Sequence, residues 1–193
     1  DSLFTISPWV FLFLAPAVTM RMFADEKKSG TIELLLTRPI SDFQIIFAKY
    51  LAGLVLVLFS ILPTLIYFYS VYQLGNPVGN IDTGGTWGSF IGLFFLAAIY
   101  VAIGVLSSSF TENQIVAFII GMLLCFTAYI GFDYLSGLVI FKSIDGLVIN
   151  IGINEHYKSM SRGVIDSRDI IYFVSAIAFF LLITKTILQS RKW

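Results

Sequence analysis

The side chains whose types and spacing could do chemistry are concentrated in residues 24–49, ADEKKSGTIELLLTRPISDFQIIFAK. This is the densest cluster of charge in the chain. Ile32, Leu35 and Leu36 follow one another at i, i+3 and i+4, so they share one face of a helix, and Glu33 in the first turn suits the helix dipole. A short helix with an apolar face and flanking charges can dock non-covalently into a groove on a partner. The same pattern also suits a helix that lies on lipid headgroups.

Local sequence signals bound this helix on both sides. Ser29 and Gly30 interrupt the helix before it, and Thr31–Thr37 reads as about two helical turns. Pro39 disfavours helix at the residue before it and ends the element. Ser41, with Gln44 three residues later, forms the pattern of a capping box that opens the next helix.

The sequence lacks the residues that catalytic, metal-binding or nucleic-acid-binding sites require. The sequence contains no phosphate-binding G-x-x-x-x-G-K-[ST] loop, no H-E-x-x-H and no Ser-His-Asp set, which argues against an enzyme. His156 is the only histidine, and we expect it to be a solvated surface residue rather than a metal ligand. The single cysteine, Cys125, lies in an apolar run and is expected to be a packing residue. A formal net charge of zero gives nucleic-acid binding no electrostatic support.

Composition and hydrophobic segments predict an all-α, polytopic membrane helix bundle. The chain is 58% hydrophobic and 12% charged, about half the charge of a typical soluble domain. Five apolar segments are long enough to approach or exceed a membrane span, at about residues 8–23, 44–72, 89–106, 115–132 and 170–188. Before the last segment, residues 134–153 read as interfacial amphipathic helices and residues 154–169 as polar chain. Asp133 is expected at the interface, and Ser167 or Asp169 as the N-cap of the last span.

The distribution of basic residues orients these spans, because short loops rich in Lys and Arg stay inside. With the charged loop inside, the inner side holds Arg21, Lys27, Lys28, Arg38, Lys49, Lys185, Arg191 and Lys192. The outer side holds Lys142, Lys158, Arg162 and Arg168. This count places the loop at residues 24–43 and the C-terminus in the cytoplasm.

The run E-K-K-S-G-T-I-E-L-L-L-T-R-P-I-S, Glu26–Ser41, resembles the cytoplasmic loop of ABC-2 type transporter permeases. The residues that match the family's pattern are Gly30, Thr31, Glu33, Leu35, Leu36 and Pro39. The run H-Y-K-S-M-S-R-G-V-I-D-S-R-D-I-I-Y-F also resembles the family's region before its last span. Within the family the chain is most similar to the gliding-motility permeases of the Bacteroidetes, and permeases of copper-site maturation systems are near relatives.

This resemblance implies an architecture. Family members have six spans with both ends inside, and the charged loop lies between the second and third. Here the loop lies between the first and second apolar segments. We therefore expect residues 1–193 to be a single permease domain that shows five of six spans, with the family's first span missing.

The resemblance also implies a function. The chain would be the non-catalytic membrane subunit of an ABC-2 transporter in the bacterial inner membrane. It would pair with a second permease subunit, while a separate cytoplasmic ATPase subunit binds ATP and Mg²⁺. The predicted ATPase interface consists of Glu26, Lys28, Gly30, Thr31, Glu33, Leu35, Leu36, Arg38 and Pro39. Leu35 and Leu36 would supply the binding affinity, and the charged residues would fix the register of docking. The energy of ATP hydrolysis would drive export or a motility or secretion machine. The alternative is a non-transporting membrane scaffold or anchor of a motility complex.

Overall fold

The computed structural model describes residues 2–36, 39–76, 79, 82–136 and 145–190. Within these residues the chain forms ten α-helices and one π-helix, and no strand. The α-helices are α1 (Ser2–Thr19), α2 (Arg21–Lys28), α3 (Thr31–Leu36), α4 (Asp42–Leu74), α5 (Thr83–Phe110), α6 (Gln114–Phe126), α7 (Phe132–Ser136), α8 (Asp145–Ile151), α9 (Ile153–Ser161) and α10 (Ser167–Ser190). The π-helix, Thr127–Gly131, joins α6 to α7.

Five helical stretches in the described part of the chain are long and apolar enough to cross a membrane, which confirms the all-α polytopic bundle. They are Leu3–Lys28, Asp42–Leu74, Thr83–Phe110, Gln114–Tyr134 and Ser167–Ser190. All five spans are longer than expected, the first and third most of all, with 26 and 28 residues. Pro8 and Pro16 both lie inside α1, and the fourth span continues through the π-helix.

Helix α5 is the centre of the bundle. It packs against α1, α2, α4, α6, α9 and α10, and every residue from Leu96 to Ser109 is buried. Small residues permit this close packing. A Cβ atom built on Gly104 would lie 1.9 Å from Oγ1 of Thr19 in α1, and one on Gly92 would lie 3.1 Å from Cβ of Met160 in α9. Both glycines therefore let a neighbouring helix approach α5 closely.

Capping side chains fix where the long helices begin. The predicted capping box of α4 is confirmed: Oγ of Ser41 accepts from the Gln44 amide at 3.3 Å, and Oε1 of Gln44 accepts from the Ser41 amide at 3.0 Å. Asp82 caps α5 by accepting from the Gly85 amide at 3.0 Å. Asn113 caps α6 by accepting from the Ile115 amide at 2.9 Å.

The predicted N-cap of α10 is wrong. The Asp166 carboxylate accepts from the Arg168 amide at 3.1 Å, and the Asp166 carbonyl accepts from the Asp169 and Ile170 amides. The hydrogen bond from the Arg168 amide lowers the pKa of the Asp166 carboxyl group. Asp169 instead faces inward and contacts His156.

The expectation of a solvated His156 is also wrong. Its Nδ1 lies 2.7 Å from Oδ1 of Asp169, its Nε2 lies 2.9 Å from the Asn150 carbonyl, and its ring stacks on Tyr172 with centroids 3.9 Å apart. Both ring nitrogens face oxygen atoms, so the ring fastens α9 to α10.

The polar chain expected at residues 154–169 contains a helix. In α9, Ile153, Tyr157 and Met160 are buried. They follow at i, i+4 and i+7, so one face of α9 packs on α5. Asp133 accepts from the Asn154 amide group at 2.5 Å, which joins α7 to the start of α9.

Candidate functional site

The corner between α2 and α3 is built by three small residues. Ser29 caps α2 by donating from its hydroxyl to the Asp25 carbonyl at 2.8 Å. Gly30 has φ +72°, which favours glycine because a side chain would be strained there. The hydroxyls of Ser29 and Thr31 lie 2.8 Å apart. Gly30 and Thr31, both predicted interface residues, therefore shape the turn that positions α3.

Glu26 faces the next span rather than solvent. Its Oε1 lies 2.5 Å from Nζ of Lys49 in α4, and the same ammonium donates to the Met22 carbonyl at 2.6 Å. Lys49 also lies 4.9 Å from the centroid of the Phe23 ring. Both charged side chains are largely buried. This ion pair joins α2 to α4.

Two further polar contacts join α2 to the junction of α5 and α6. Lys27 is buried, and its ammonium donates to the carbonyl of Ser109 in the last turn of α5. The Gln114 amide group, at the start of α6, donates to the Asp25 carboxylate. We call these two contacts and the Glu26–Lys49 pair the α2 polar contacts. Three consecutive residues of α2 thereby contact three different spans.

The opposite side of the segment is exposed. Lys28, Glu33 and Leu34 are all exposed there, and Leu34 is 68% exposed. Ile32 points the other way and packs on the core. Pro39 is exposed, and beyond it Ile40, Phe43 and Phe47 are large exposed apolar residues.

Of the nine predicted interface residues, two are exposed charges (Lys28 and Glu33), two build the turn (Gly30 and Thr31), one pairs inward (Glu26) and one is exposed beyond α3 (Pro39). Leu35 and Leu36 belong to α3, but their side chains lie outside the described residues. Arg38 and the predicted helix end at Thr37 also lie outside them.

Sequence reasoning missed Asp25, Lys27, Ser109, Gln114 and Leu34. Ser109 and Gln114 lie 82 and 89 residues from their α2 partners, and no local pattern reveals contacts at such separations. The sequence did contain an indication for Leu34. It lies between the apolar positions that share one face of α3, and an apolar residue outside that face is a candidate for contact with a partner.

A groove of about 510 Å³ runs beside the exposed face. Lys28 lines one wall, and Glu112, Asn113, Gln114 and Ile115 line the other. The groove thus lies between α2 and the turn that leads from α5 into α6. It makes that turn part of the same surface as the exposed end of α2.

No arrangement suited to metal chemistry is found in the described ranges, where no three or more His, Cys, Asp or Glu side chains cluster. The buried Cys125 packs between helices, as expected.

Comparison with known families identifies the family of this chain. The sequence profile of the family described as ABC-2 family transporter protein matches residues 5–189. A search of curated proteins gave no match.

Proposed function

Because the chain belongs to the ABC-2 transporter family, it is a membrane permease subunit of an ABC transporter, and we propose that α2 and α3 couple it to the ATPase subunit. One observation carries this proposal: the α2–α3 segment has two opposite faces. One face is fastened to three spans by the α2 polar contacts. The other presents Lys28, Glu33 and Leu34. An element that is held rigidly to the spans on one side and exposed on the other can transmit the displacement of a bound ATPase to those spans.

The proposed docking uses apolar contact for affinity and charge for register. Burying a leucine side chain against a partner contributes about 1.5–3 kcal/mol, whereas an exposed ion pair contributes about 0–1 kcal/mol. Leu34 is the proposed source of affinity in place of Leu35 and Leu36, because its side chain is exposed, whereas Ile32, which shares its helix face with those two leucines by spacing, packs on the core. Lys28, Glu33 and Arg38 would select the register.

The α2 polar contacts indicate where movement of α3 would go. The ion pair with Lys49 reaches α4, the Ser109 contact reaches α5 and the Gln114 contact reaches α6. Displacement of α3 would therefore move the central helix α5 as well as α4 and α6. In this proposal ATP and Mg²⁺ bind only to the ATPase, and the permease supplies the moving helices.

The cellular arrangement is also part of the proposal. The family resemblance favours a bacterial inner membrane. The excess of basic residues on the side of the α2–α3 segment favours an orientation with α3 and the C-terminus in the cytoplasm. A second permease subunit would complete the pathway. The sequence resemblance to gliding-motility permeases favours a transporter that uses ATP hydrolysis for export or to drive a motility or secretion machine.

Co-purification with the ATPase subunit of the same transporter tests the docking. Leu34→Asp places a charge on the exposed face of α3 and is expected to reduce recovery of the ATPase about tenfold or more, since a lost leucine contact is worth at least a factor of ten. Leu74→Asp is the matched control, because Leu74 is 84% exposed at the far end of α4. Equal recovery with both variants contradicts docking through α3.

ATP turnover then separates a transporter from a scaffold. A coupled permease changes the ATP hydrolysis rate of its ATPase, and Leu34→Asp should abolish that change. A scaffold binds the ATPase but leaves the hydrolysis rate as it is in the isolated subunit, which would contradict the transport function.

A further inference from the structure

A cavity of about 470 Å³ lies at the end of the bundle remote from α3. We call it the tyrosine cavity. It is bounded by the beginning of α1, the π-helix and α9, and its lining includes Phe4, Trp9, Tyr129, Tyr157 and Lys158. Its volume falls within the range of small-molecule sites, about 300–1,000 Å³.

One side of the tyrosine cavity is aromatic. The Trp9 indole meets the Tyr129 ring edge-on with centroids 6.2 Å apart. Phe4 lies beside them and packs edge-on against Phe90 at 5.0 Å. These rings form an apolar surface that can hold the body of a ligand.

The π-helix supplies Tyr129 and Ile130 to this lining. Such helices are rare, and their single turns are frequent at functional sites. Here the π-helix interrupts the fourth span at the level of the cavity, so the irregularity and the cavity coincide.

The polar groups of the cavity are incompletely satisfied. Tyr129 is only 7% exposed, and its hydroxyl makes no hydrogen bond with any described residue. The Lys158 ammonium likewise has no partner in the described part of the chain, and it is the only charged side chain among the lining residues described. Tyr157 differs, because its hydroxyl donates to the Phe4 carbonyl at 2.7 Å and burial raises its pKa. The Tyr129 hydroxyl and the Lys158 ammonium can therefore both donate a hydrogen bond to a bound acceptor.

We propose that the tyrosine cavity binds an amphipathic anion, a molecule with a phosphate or carboxylate head and an apolar body. Lys158 and the Tyr129 hydroxyl hold the head, since both can donate to an anionic oxygen. Phe4 and Trp9 contact the apolar body. An acidic phospholipid of the surrounding bilayer and an amphipathic cargo share this chemistry. The site stands independently of how α3 docks.

Native mass spectrometry of the full chain in detergent tests the site with three probes. Dioctanoyl phosphatidic acid carries both the anionic head and the apolar body. Dioctanoyl phosphatidylcholine keeps the chains but has no net charge, and inorganic phosphate has no chains. We expect phosphatidic acid to bind about tenfold or more tightly than either control, which corresponds to one charge-assisted contact. Equal binding of the two lipids overturns the proposal.

Variants then assign the binding to the cavity. Lys158→Gln and Tyr129→Phe should each weaken phosphatidic acid binding about fivefold or more, while phosphatidylcholine binding and the melting temperature stay unchanged. Arg162→Gln is the matched control, because Arg162 is an exposed basic residue just after α9 that does not line the cavity. Unchanged phosphatidic acid binding in the Lys158 and Tyr129 variants overturns the assignment.

The complex with its ATPase, in phosphatidylcholine nanodiscs loaded with phosphatidic acid, distinguishes the two sources of ligand. Release of phosphatidic acid during ATP hydrolysis supports the site as one for cargo. Retention through hydrolysis supports it as one for a resident lipid. A complex that retains no phosphatidic acid before ATP is added contradicts the site itself.

Discussion

Lys27 and Lys28 are neighbours in α2, and their side chains have opposite surroundings. Lys27 is buried and donates to the Ser109 carbonyl, whereas Lys28 is exposed and lines the groove beside Glu112. Glu26 adds a third environment, because it pairs with Lys49. A compact run of charge is thus divided between fastening α2 to the bundle and placing charge at the surface.

Lys27→Met tests the fastening role. Methionine keeps the apolar stem but leaves the Ser109 carbonyl without its donor, and an unsatisfied buried acceptor costs about 1–3 kcal/mol. We expect thermal unfolding in detergent, followed by circular dichroism, to report a loss of stability of that size. Lys28→Met is the control and should stay within about 0.5 kcal/mol of the unmodified protein. Equal effects of the two substitutions would refute a specific role for Lys27.

His156 shows the limit of sequence reasoning at this scale. A lone histidine in a polar run reads as solvated, because local sequence gives no sign of what lies opposite. Its partners, Asp169 and Tyr172, are 13 and 16 residues away and meet it only once α9 has packed beside α10. By contrast, Ser41, Gln44 and Gly30 act through their immediate neighbours, and their roles could be predicted.

At the scale of elements, the arrangement of the helices around α5 depends on its small side chains. Its glycines and serines let α1 and α9 approach closely. The five long apolar segments could be predicted from hydrophobicity alone. The π-helix and α9 could not, since the first arises from packing at one turn of a span and the second buries only three residues.

Gly104→Ala tests the close approach of α1 and α5. The added methyl group would lie 1.9 Å from Oγ1 and 3.0 Å from Cβ of Thr19, so the two helices must separate or Thr19 must move. Overpacking of this kind costs about 1–3 kcal/mol, and the melting temperature should fall. In Gly84→Ala the new atom meets nothing closer than 3.6 Å. That control should match or exceed the original stability, and a neutral Gly104→Ala would contradict the packing.

Asp166 gives α10 a cap that depends on pH. The Arg168 amide lowers the pKa of the Asp166 carboxyl group in the folded chain below its ordinary value of 3.8. On acidification Asp166 is therefore protonated first in the unfolded chain. The stability that ionised Asp166 adds to the folded protein is complete above pH 3.8 and is lost as the pH falls through the folded-state pKa.

Asp166→Asn keeps a good capping side chain but cannot titrate. The stability difference between the original protein and this variant should therefore be constant above pH 5 or so and shrink below about pH 4. Melting temperatures of both proteins across this range provide the measurement. A difference that does not change with pH would show that the cap does not depend on ionised Asp166.

At the scale of the whole molecule, the α2–α3 segment is an extension of the bundle rather than a separate loop. The α2 polar contacts fasten it to α4, α5 and α6. The family and the general architecture could be predicted because they depend on a local motif and on hydrophobic length. The connection to the central helix could not, because it depends on contacts between distant parts of the chain.

The central claim is that α3 docks on an ATPase and moves with its nucleotide state. Site-specific photocrosslinking from positions 33 and 35, in the complex with the ATPase and with or without ATP, tests it most directly. A probe at Ile66, 70% exposed on the α4 span, is the control and should give no crosslink to the ATPase. The account predicts crosslinks from both α3 positions with a yield that changes on ATP addition. No crosslink from either position in a folded complex would contradict it and favour an interfacial helix on a scaffold.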